Sequence, residues 1–228
     1  MKNRCLLLFL LAGSLAACEA TIPTYQTGAF AEMSADGLAK VNNARVSAAW
    51  IRPGIDLSSY DKIMLISAGI QYRSVREVNR LNLSRVTEFP LDQRQRELIE
   101  ASVREVFNEE MAKIQRFEIV REAGPDTLAL TGMFVDVTSF VPPERAGRVD
   151  YYLSQLGEAT LILELSDSMS GQVLARAADR RVIEPAFVTE SSPVSNRFEL
   201  RRELDRWADD IREGLESLVE TPLLPATE

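Results

Sequence analysis

The stretch Glu158-Ala159-Thr160-Leu161-Ile162-Leu163-Glu164-Leu165-Ser166, followed by Asp167-Ser168-Met169-Ser170-Gly171 and then Gln172 to Ile183, decides the fold. Successive side chains of an extended chain point to opposite faces, so Ala159, Leu161, Leu163 and Leu165 share one face and Glu158, Thr160, Ile162 and Glu164 the other. Asp167 to Gly171 reads as a hairpin turn with Gly171 as its left-handed residue. Gln172 to Ile183 is then the return strand. In this phase Asp179 falls on the same face as Ala175 and Ala177, so burial of that face demands a partner for its charge.

Working outward, Ser195 to Val219 reads as a long helix. Leu200, Leu204, Trp207, Ile211, Leu215 and Leu218 recur at steps of three and four, the mark of a core-facing stripe or of a seam for a partner helix. Upstream, Ile63-Met64-Leu65-Ile66 within Lys62–Ala68 is a strand-length apolar run, expected to be buried on both faces. Leu91 to Gln115 is helical, with Ile99, Val103, Val106, Phe107, Met111 and Ile114 on one side. Phe117–Val120 is a short strand, Gly124-Pro125-Asp126 a turn, and Thr127–Val137 a longer strand.

The expected order is β-α-β-β-β-β-α, an α/β (α+β) sandwich with a mixed sheet of about five strands and both helices on one face. A right-handed first crossover makes its two strands parallel, and the later strands form an antiparallel meander. The loops Gly69–Pro90 and Thr138–Gly157 are then expected at opposite ends of the sheet.

The chain begins with a signal. Lys2 and Arg4 precede the apolar run Leu6–Leu11, and Ser14-Leu15-Ala16-Ala17-Cys18 closes it with small residues before a cysteine. The run is too short for a spanning helix, which needs about 20 apolar residues. Leu-Ala-Ala-Cys resembles the lipobox of bacterial lipoproteins, which implies that Cys18 is acylated and anchors the chain in a lipid bilayer; the plain alternative is an ordinary cleaved secretory signal with Cys18 incidental. Glu19 is not the aspartate that marks inner-membrane retention, so the expected location is the outer membrane, facing the periplasm, with the inner membrane as the alternative. Residues 1–18 are read as the signal, 19–44 as a flexible tether, 45–220 as one periplasmic domain, and 221–228, with two prolines, as a disordered tail.

Composition narrows the chemistry. The net charge is −8, which disfavours a nucleic-acid binder. Histidine is absent and the two cysteines are Cys5 and Cys18, so the domain has no disulfide, no thiol nucleophile, no Ser-His-Asp triad and no common zinc ligand set. No cofactor and no enzymatic activity are expected. Asp56 with Asp61 reads as a carboxylate pair for acid–base work or, more plainly, as turn and strand capping. Asp167 with Asp179 reads as a cation site or as a turn aspartate plus an ion pair with Arg180 or Arg181.

Two loops are candidates for recognition. Gly69–Pro90 carries Arg73, Arg76, Arg80 and Arg85 against Glu77 and Glu88, a basic stretch in an acidic protein that suits a phosphate, an anionic glycan or an acidic partner. Thr138–Gly157 holds Phe140, Pro142, Pro143, Arg145, Arg148, Tyr151 and Tyr152. Long loops in compact domains are often functional, and tyrosine and arginine are enriched at interface hot spots.

The string Trp50-x-Arg52-Pro53-Gly54-x-Asp56-Leu57-Ser58-x-Tyr60-Asp61-Lys62 resembles the opening of the DUF3313 family, an uncharacterised family of bacterial lipoproteins. Glu164-x-x-Asp167-Ser168-x-Ser170-Gly171-x-x-Leu174-Ala175 is similar to that family's hairpin. The resemblance spans about Ala44 to Val219 and implies a lipoprotein of the periplasm, with no activity or catalytic residue attached. The expected function is a membrane-tethered, non-catalytic module that binds an envelope protein. The alternative is a small-ligand or glycan-binding lipoprotein, or a hydrolase working with carboxylates alone.

Overall fold

The computed structural model describes residues 22–75, 88–143, 151–220 and 224–225. In chain order the elements are β1 (Thr24–Tyr25), β2 (Ala39–Asn42), β3 (Ala48–Ile51), β4 (Lys62–Tyr72), α1 (Gln93–Met111), β5 (Glu118–Val120), β6 (Thr127–Ser139), β7 (Tyr152–Leu153), β8 (Gly157–Asp167), β9 (Val173–Ile183), β10 (Thr189–Glu190), α2 (Pro193–Glu220) and β11 (Leu224–Pro225). The mixed sheet and the two helices are as expected. The strand count and the element order are not: the sheet has nine strands, ordered β11-β1-β2-β3-β9-β8-β6-β4-β5, and β7 with β10 forms a separate ribbon.

The hairpin β8–β9 is antiparallel, with Leu161 opposite Asp179 and Leu165 opposite Ala175. Gly171 has φ +70°, and the Asp167 carboxylate closes the turn by accepting from the Ser170 backbone at 2.7 Å and its hydroxyl at 2.6 Å. Ala159, Leu161 and Leu165 are buried, and Leu163 packs against the same cluster. Leu204, Trp207, Ile211 and Leu215 of α2 and Val106 and Met111 of α1 complete that core, so both helices cover one sheet face. The α2 stripe is thus the core face.

Capping fixes where the helices begin. Asp92 and Gln95 exchange side-chain and backbone hydrogen bonds in a capping box at α1. Ser192 and Ser195 do the same at α2, and Pro193 takes the first helical position, where a missing N–H costs nothing. The α1–α2 seam is closed by ion pairs: Arg201 reaches Glu105 and Glu109 at 2.7 Å each, and Arg212 reaches the buried Glu110 at 2.8 Å.

Four expectations are corrected. First, β5 and β6 do not follow each other in a meander; both lie parallel to β4, one on each side. The antiparallel run comprises β6, β8 and β9. Second, β4 and β6 therefore finish at the same end of the sheet, where Tyr72 lies opposite Val137 and Phe89 bridges Ser139. The loops Gly69–Pro90 and Thr138–Gly157 leave from one end, not from opposite ends. Third, β4 is not buried on both faces. Ile63 is fully buried, but β5 pairs only Lys62 to Met64, and beyond Ser67 the strand is an edge broken by register shifts around Gly69, φ +94°. Irregularity of this kind blunts an exposed strand edge.

Fourth, the stretch expected as a tether joins the sheet from Thr24 onward. β2 pairs with β3, β3 pairs with β9, and Leu38 and Ala39 are completely buried. Likewise Leu224–Pro225, within the expected disordered tail, pairs parallel with β1. These strands extend the sheet past β9, whose outer edge would otherwise be open.

The two motifs that carry the family resemblance meet in space. Arg52 donates from Nε to the Val173 carbonyl at 2.8 Å, and its backbone N–H donates to Leu174 at 2.8 Å. The Tyr60 hydroxyl donates to Asp167 at 3.0 Å. Lys62 pairs with Asp126 across the start of β4 and β6. Asp56 accepts from the Ser58 backbone at 2.8 Å. The opening motif is therefore a clasp that fixes the hairpin end of the sheet, and its aspartates serve turns and ion pairs.

Candidate functional site

The opposite end, where β4, β6 and β9 finish and both helices begin, is called here the loop end. Three features converge on it. The first is a charge cluster. Arg73 donates to Asp136 through Nε at 2.9 Å and Nη2 at 2.7 Å, to Glu88 at 2.7 Å and to Glu158 at 2.7 Å, and Arg180 also pairs with Glu158. Asp136 reaches this position from a left-handed backbone, φ +59°, at a register shift of β6. Such a bulge re-aims a side chain. Arg73, expected to face a partner, spends its donors on three carboxylates of its own chain.

Glu158 is pushed up by burial, but Arg180 and Arg73 together hold it below the usual carboxylate range. Hydrogen bonds from Arg73 hold Asp136 low as well. Both carboxyls have folded-state values below their unfolded ones, so their stabilising contribution is present above about pH 4 and is lost as pH falls through the folded values. Arg73→Leu is expected to destabilise the fold by about 2–3 kcal/mol at pH 7. That deficit narrows towards pH 3, where the parent loses the same interactions. Melting curves of both proteins across that range check it; a deficit independent of pH refutes the assignment.

The second feature is a cleft of about 530 Å³ between the sheet and the first turns of the two helices. Val137, Leu156, Leu98, Leu200, Leu204 and Trp207 are among its apolar walls, and Ser191, Asn196 and Arg197 stand among its polar ones. At its base an edge-to-face aromatic series links the layers: Phe107 of α1 lies 5.8 Å from Phe134 of β6, and Phe134 lies 5.3 Å from Trp207 of α2. Trp207 is 2% exposed and its indole N–H has no hydrogen-bond partner among the described residues. Tyr151 lines the cleft, and its carbonyl accepts from Ser191 at 2.7 Å, which joins the Thr138–Gly157 loop to the start of α2.

The third feature is the rim. Leu98, Tyr152, Phe187, Val188, Val194 and Phe198 all stand exposed on segments of this end, the last four between 65% and 81%. Single exposed apolar side chains are ordinary; several on the segments around one cleft, with Leu98 in its wall, suit a binding surface.

Of the residues singled out in the sequence, Tyr151 and Tyr152 come to the cleft and its rim. Phe140 is half-buried and extends the sheet, its N–H donating to Leu156 at 2.9 Å. Arg76, Arg80, Arg145, Arg148 and Cys18 lie outside the described residues. The sequence reading missed the rim residues of α2. Val194 and Phe198 fall off the stripe that begins at Leu200, and this out-of-phase apolar pair was the available signal. Asp167 and Asp179 do not converge: Asp167 serves the turn, while Asp179 accepts from Ser47 at 3.0 Å and pairs with Arg181 at 2.8 Å. Among the described residues no His/Cys/Asp/Glu group is arranged to hold a metal ion, and no helix is long and apolar enough to cross a membrane.

The family model for a protein of unknown function, DUF3313, matches residues 30–211. The chain belongs to the DUF3313 family. The match covers both the clasp and the loop end. No curated protein matches the sequence. Among solved structures, protein XCC0632 from Xanthomonas campestris, of the DUF330 family, is similar at 12% identity and TM-score 0.39, over 86% of this chain and 95% of that one. A putative neuraminyllactose-binding hemagglutinin homolog from Helicobacter pylori is similar at 11% identity and TM-score 0.39, over 73% and 88%. The PelC dodecamer from Paraburkholderia phytofirmans is similar at 11% identity and TM-score 0.32, over 71% and 96%. Likeness at these levels assigns no role to this DUF3313 protein.

Proposed function

We propose that this DUF3313 protein is a non-catalytic binding module of the bacterial envelope, anchored through acylated Cys18 and facing the periplasm from the outer membrane, with the loop end as its binding end. The observation that carries the reading is the meeting of an apolar cleft of about 530 Å³ with a cluster of exposed apolar side chains. Ligand sites are typically clefts of about 300–1,000 Å³ with mostly apolar walls and a few polar groups. A deep cleft favours a bound ligand over a flat protein–protein contact.

Binding rather than hydrolysis is favoured by the state of two of the three acids that line the cleft, Glu158, Glu190 and Glu203. Glu158 is tied to Arg73 and Arg180, and Glu203 is tied to Arg206. A carboxyl that acts as general acid needs its pKa raised, whereas Glu158 is held low.

A photo-crosslinking side chain placed at Leu98 or Phe198 in the full-length protein tests the reading in intact envelopes. The expected result is adducts at both positions that are absent when the same group stands at Ile119, exposed on β5 away from the loop end. Identical products from all three positions overturn it. Mass spectrometry of the mature amino terminus tests the anchor separately; an unmodified Cys18 removes it.

A further inference from the structure

The loop-end cleft does not stop at Phe134. A second cavity of about 350 Å³ lies beneath α1 and shares Ile70, Val103 and Phe134 with the first. Its sheet side passes over Gly132, opposite Ser67 and Leu163, where the missing side chain leaves room that Leu163, 3.4 Å from where a Cβ would stand, partly takes. A third cavity, about 220 Å³, shares Leu130, Leu163 and Ile211 with the second and reaches Leu215 and Leu218 of α2. The three share wall residues in series between the sheet and the helix layer, and Leu, Ile, Val and Phe dominate the shared walls, with Glu100, Arg104 and Asn108 on the helix side of the second and Arg45, Arg176 and Asp210 at the third. The helix layer permits this because the first half of α1 is lightly packed: its buried residues are Val106, Glu110 and Met111, all in the last two turns.

The shape is a slot rather than a bowl. It matches a long, thin, unbranched apolar group, each buried CH₂ of which contributes about 0.8 kcal/mol. Among the groups that line the loop-end cleft is Arg197, an exposed guanidinium with no ion pair among the described residues, together with Ser191, Asn196 and the carboxylate of Glu190. A guanidinium there is suited to an anionic head group. From these observations we infer that the slot holds one fatty acyl chain, inserted from the loop end, with a carboxylate or phosphate head at Arg197. This rests on the reading of the loop end as the binding end and names the chemical class of its ligand. The exposed rim, Phe187 and Phe198 included, gives such a chain an apolar path from its donor surface into the slot.

The test uses the full-length protein, purified with detergent and then stripped of bound lipid, with the fluorescent fatty acid cis-parinarate as probe. The expected result is saturable binding that is displaced by oleate and by oleoyl lysophosphatidylglycerol. Relative displacement by the two distinguishes a free fatty acid from a phospholipid-derived chain. Val103→Phe plugs the junction of the first two cavities and is expected to weaken parinarate binding at least tenfold. Leu200→Trp, from the other helix, fills the entrance and should act likewise, so the inference does not depend on one variant's folding; melting curves identify any variant that has lost its fold. Arg197→Gln is expected to weaken oleate about fivefold and leave uncharged monoolein unchanged; equal loss for both overturns the head-group assignment. Absence of saturable binding by the parent, or parent-like binding by both plugged and folded variants, overturns the acyl-chain inference. If that happens while Leu98 and Phe198 still capture a specific protein in envelopes, the loop end stands as a binding end and the lipid assignment alone fails.

Discussion

Arg181→Met is expected to destabilise this protein by about 3–5 kcal/mol, as removal of one member of a buried ion group does. Arg181 is the cation that closes β9 onto α2. It pairs with Asp179 at 2.8 Å, with Asp210 at 2.7 Å and with Glu203 at 3.7 Å, and its guanidinium lies 5.2 Å from the Trp207 ring centre. Asp179 and Glu203 are each 9% exposed. Loss of Arg181 leaves Asp179 with only the Ser47 hydrogen bonds, too few to replace water around a buried carboxylate. Adding Asp179→Asn removes that charge and keeps an oxygen for Ser47, so the double variant is expected to recover about half of the loss. Urea unfolding of the parent, both single variants and the double variant measures this. A single-variant cost below about 1 kcal/mol, the range of exposed pairs, would show that the cluster is a surface decoration.

Trp207→Ala is expected to cost about 3–5 kcal/mol, the range for removing a large aromatic side chain from a core. Trp207→Phe is expected to cost about 1–2 kcal/mol. The contrast follows from the geometry. The indole ring meets Phe134 edge-on at 5.3 Å and is packed within the core cluster, so truncation leaves a large void and breaks an aromatic contact worth about 0.5–1.5 kcal/mol. The indole N–H has no hydrogen-bond partner among the described residues, so phenylalanine forfeits volume and none of their hydrogen bonds. Denaturant unfolding with the m-value held in view decides it. Equal costs for the two substitutions would mean that the N–H is bonded after all.

The legible parts of this fold are those encoded in short-range periodicity. The β8 alternation placed Ala159, Leu161, Leu163 and Leu165 together, and the α2 stripe from Leu200 to Leu218 marked a core face. Gly171 had to be the left-handed residue of its turn. The need of Asp179 for a cation was legible too, because its face was expected to be buried, but the choice between Arg180 and Arg181 was not: Arg181 pairs with it and Arg180 goes to Glu158. At the loop end the sequence brought forward Tyr151 and Tyr152 but not the cleft between them and the helices.

What stayed hidden depends on which strands lie side by side. Placing β5 and β6 on opposite flanks of β4 sends both long loops to one end, and no residue pattern within either strand records that choice. The same arrangement turns Arg73 inward: its partners Asp136 and Glu158 are 63 and 85 residues away. A charge written in a sequence carries no mark of the partner it will meet. β2 and β3 have four residues each, too few for a period to show, yet the pairing of β3 with β9 buries the chain before Ala44.

By itself, then, the sequence determined the class of the protein: a mixed sheet under two amphipathic helices, in a stretch from Glu19 onward that holds neither histidine nor cysteine. Local alternation and helical spacing are intrinsic to the chain, so they survive in one dimension. Tertiary structure alone decided that two loops, two helix starts and an apolar cleft share one end. That decision arises from strand adjacency, which sets the neighbours each side chain meets and is recorded within no single strand.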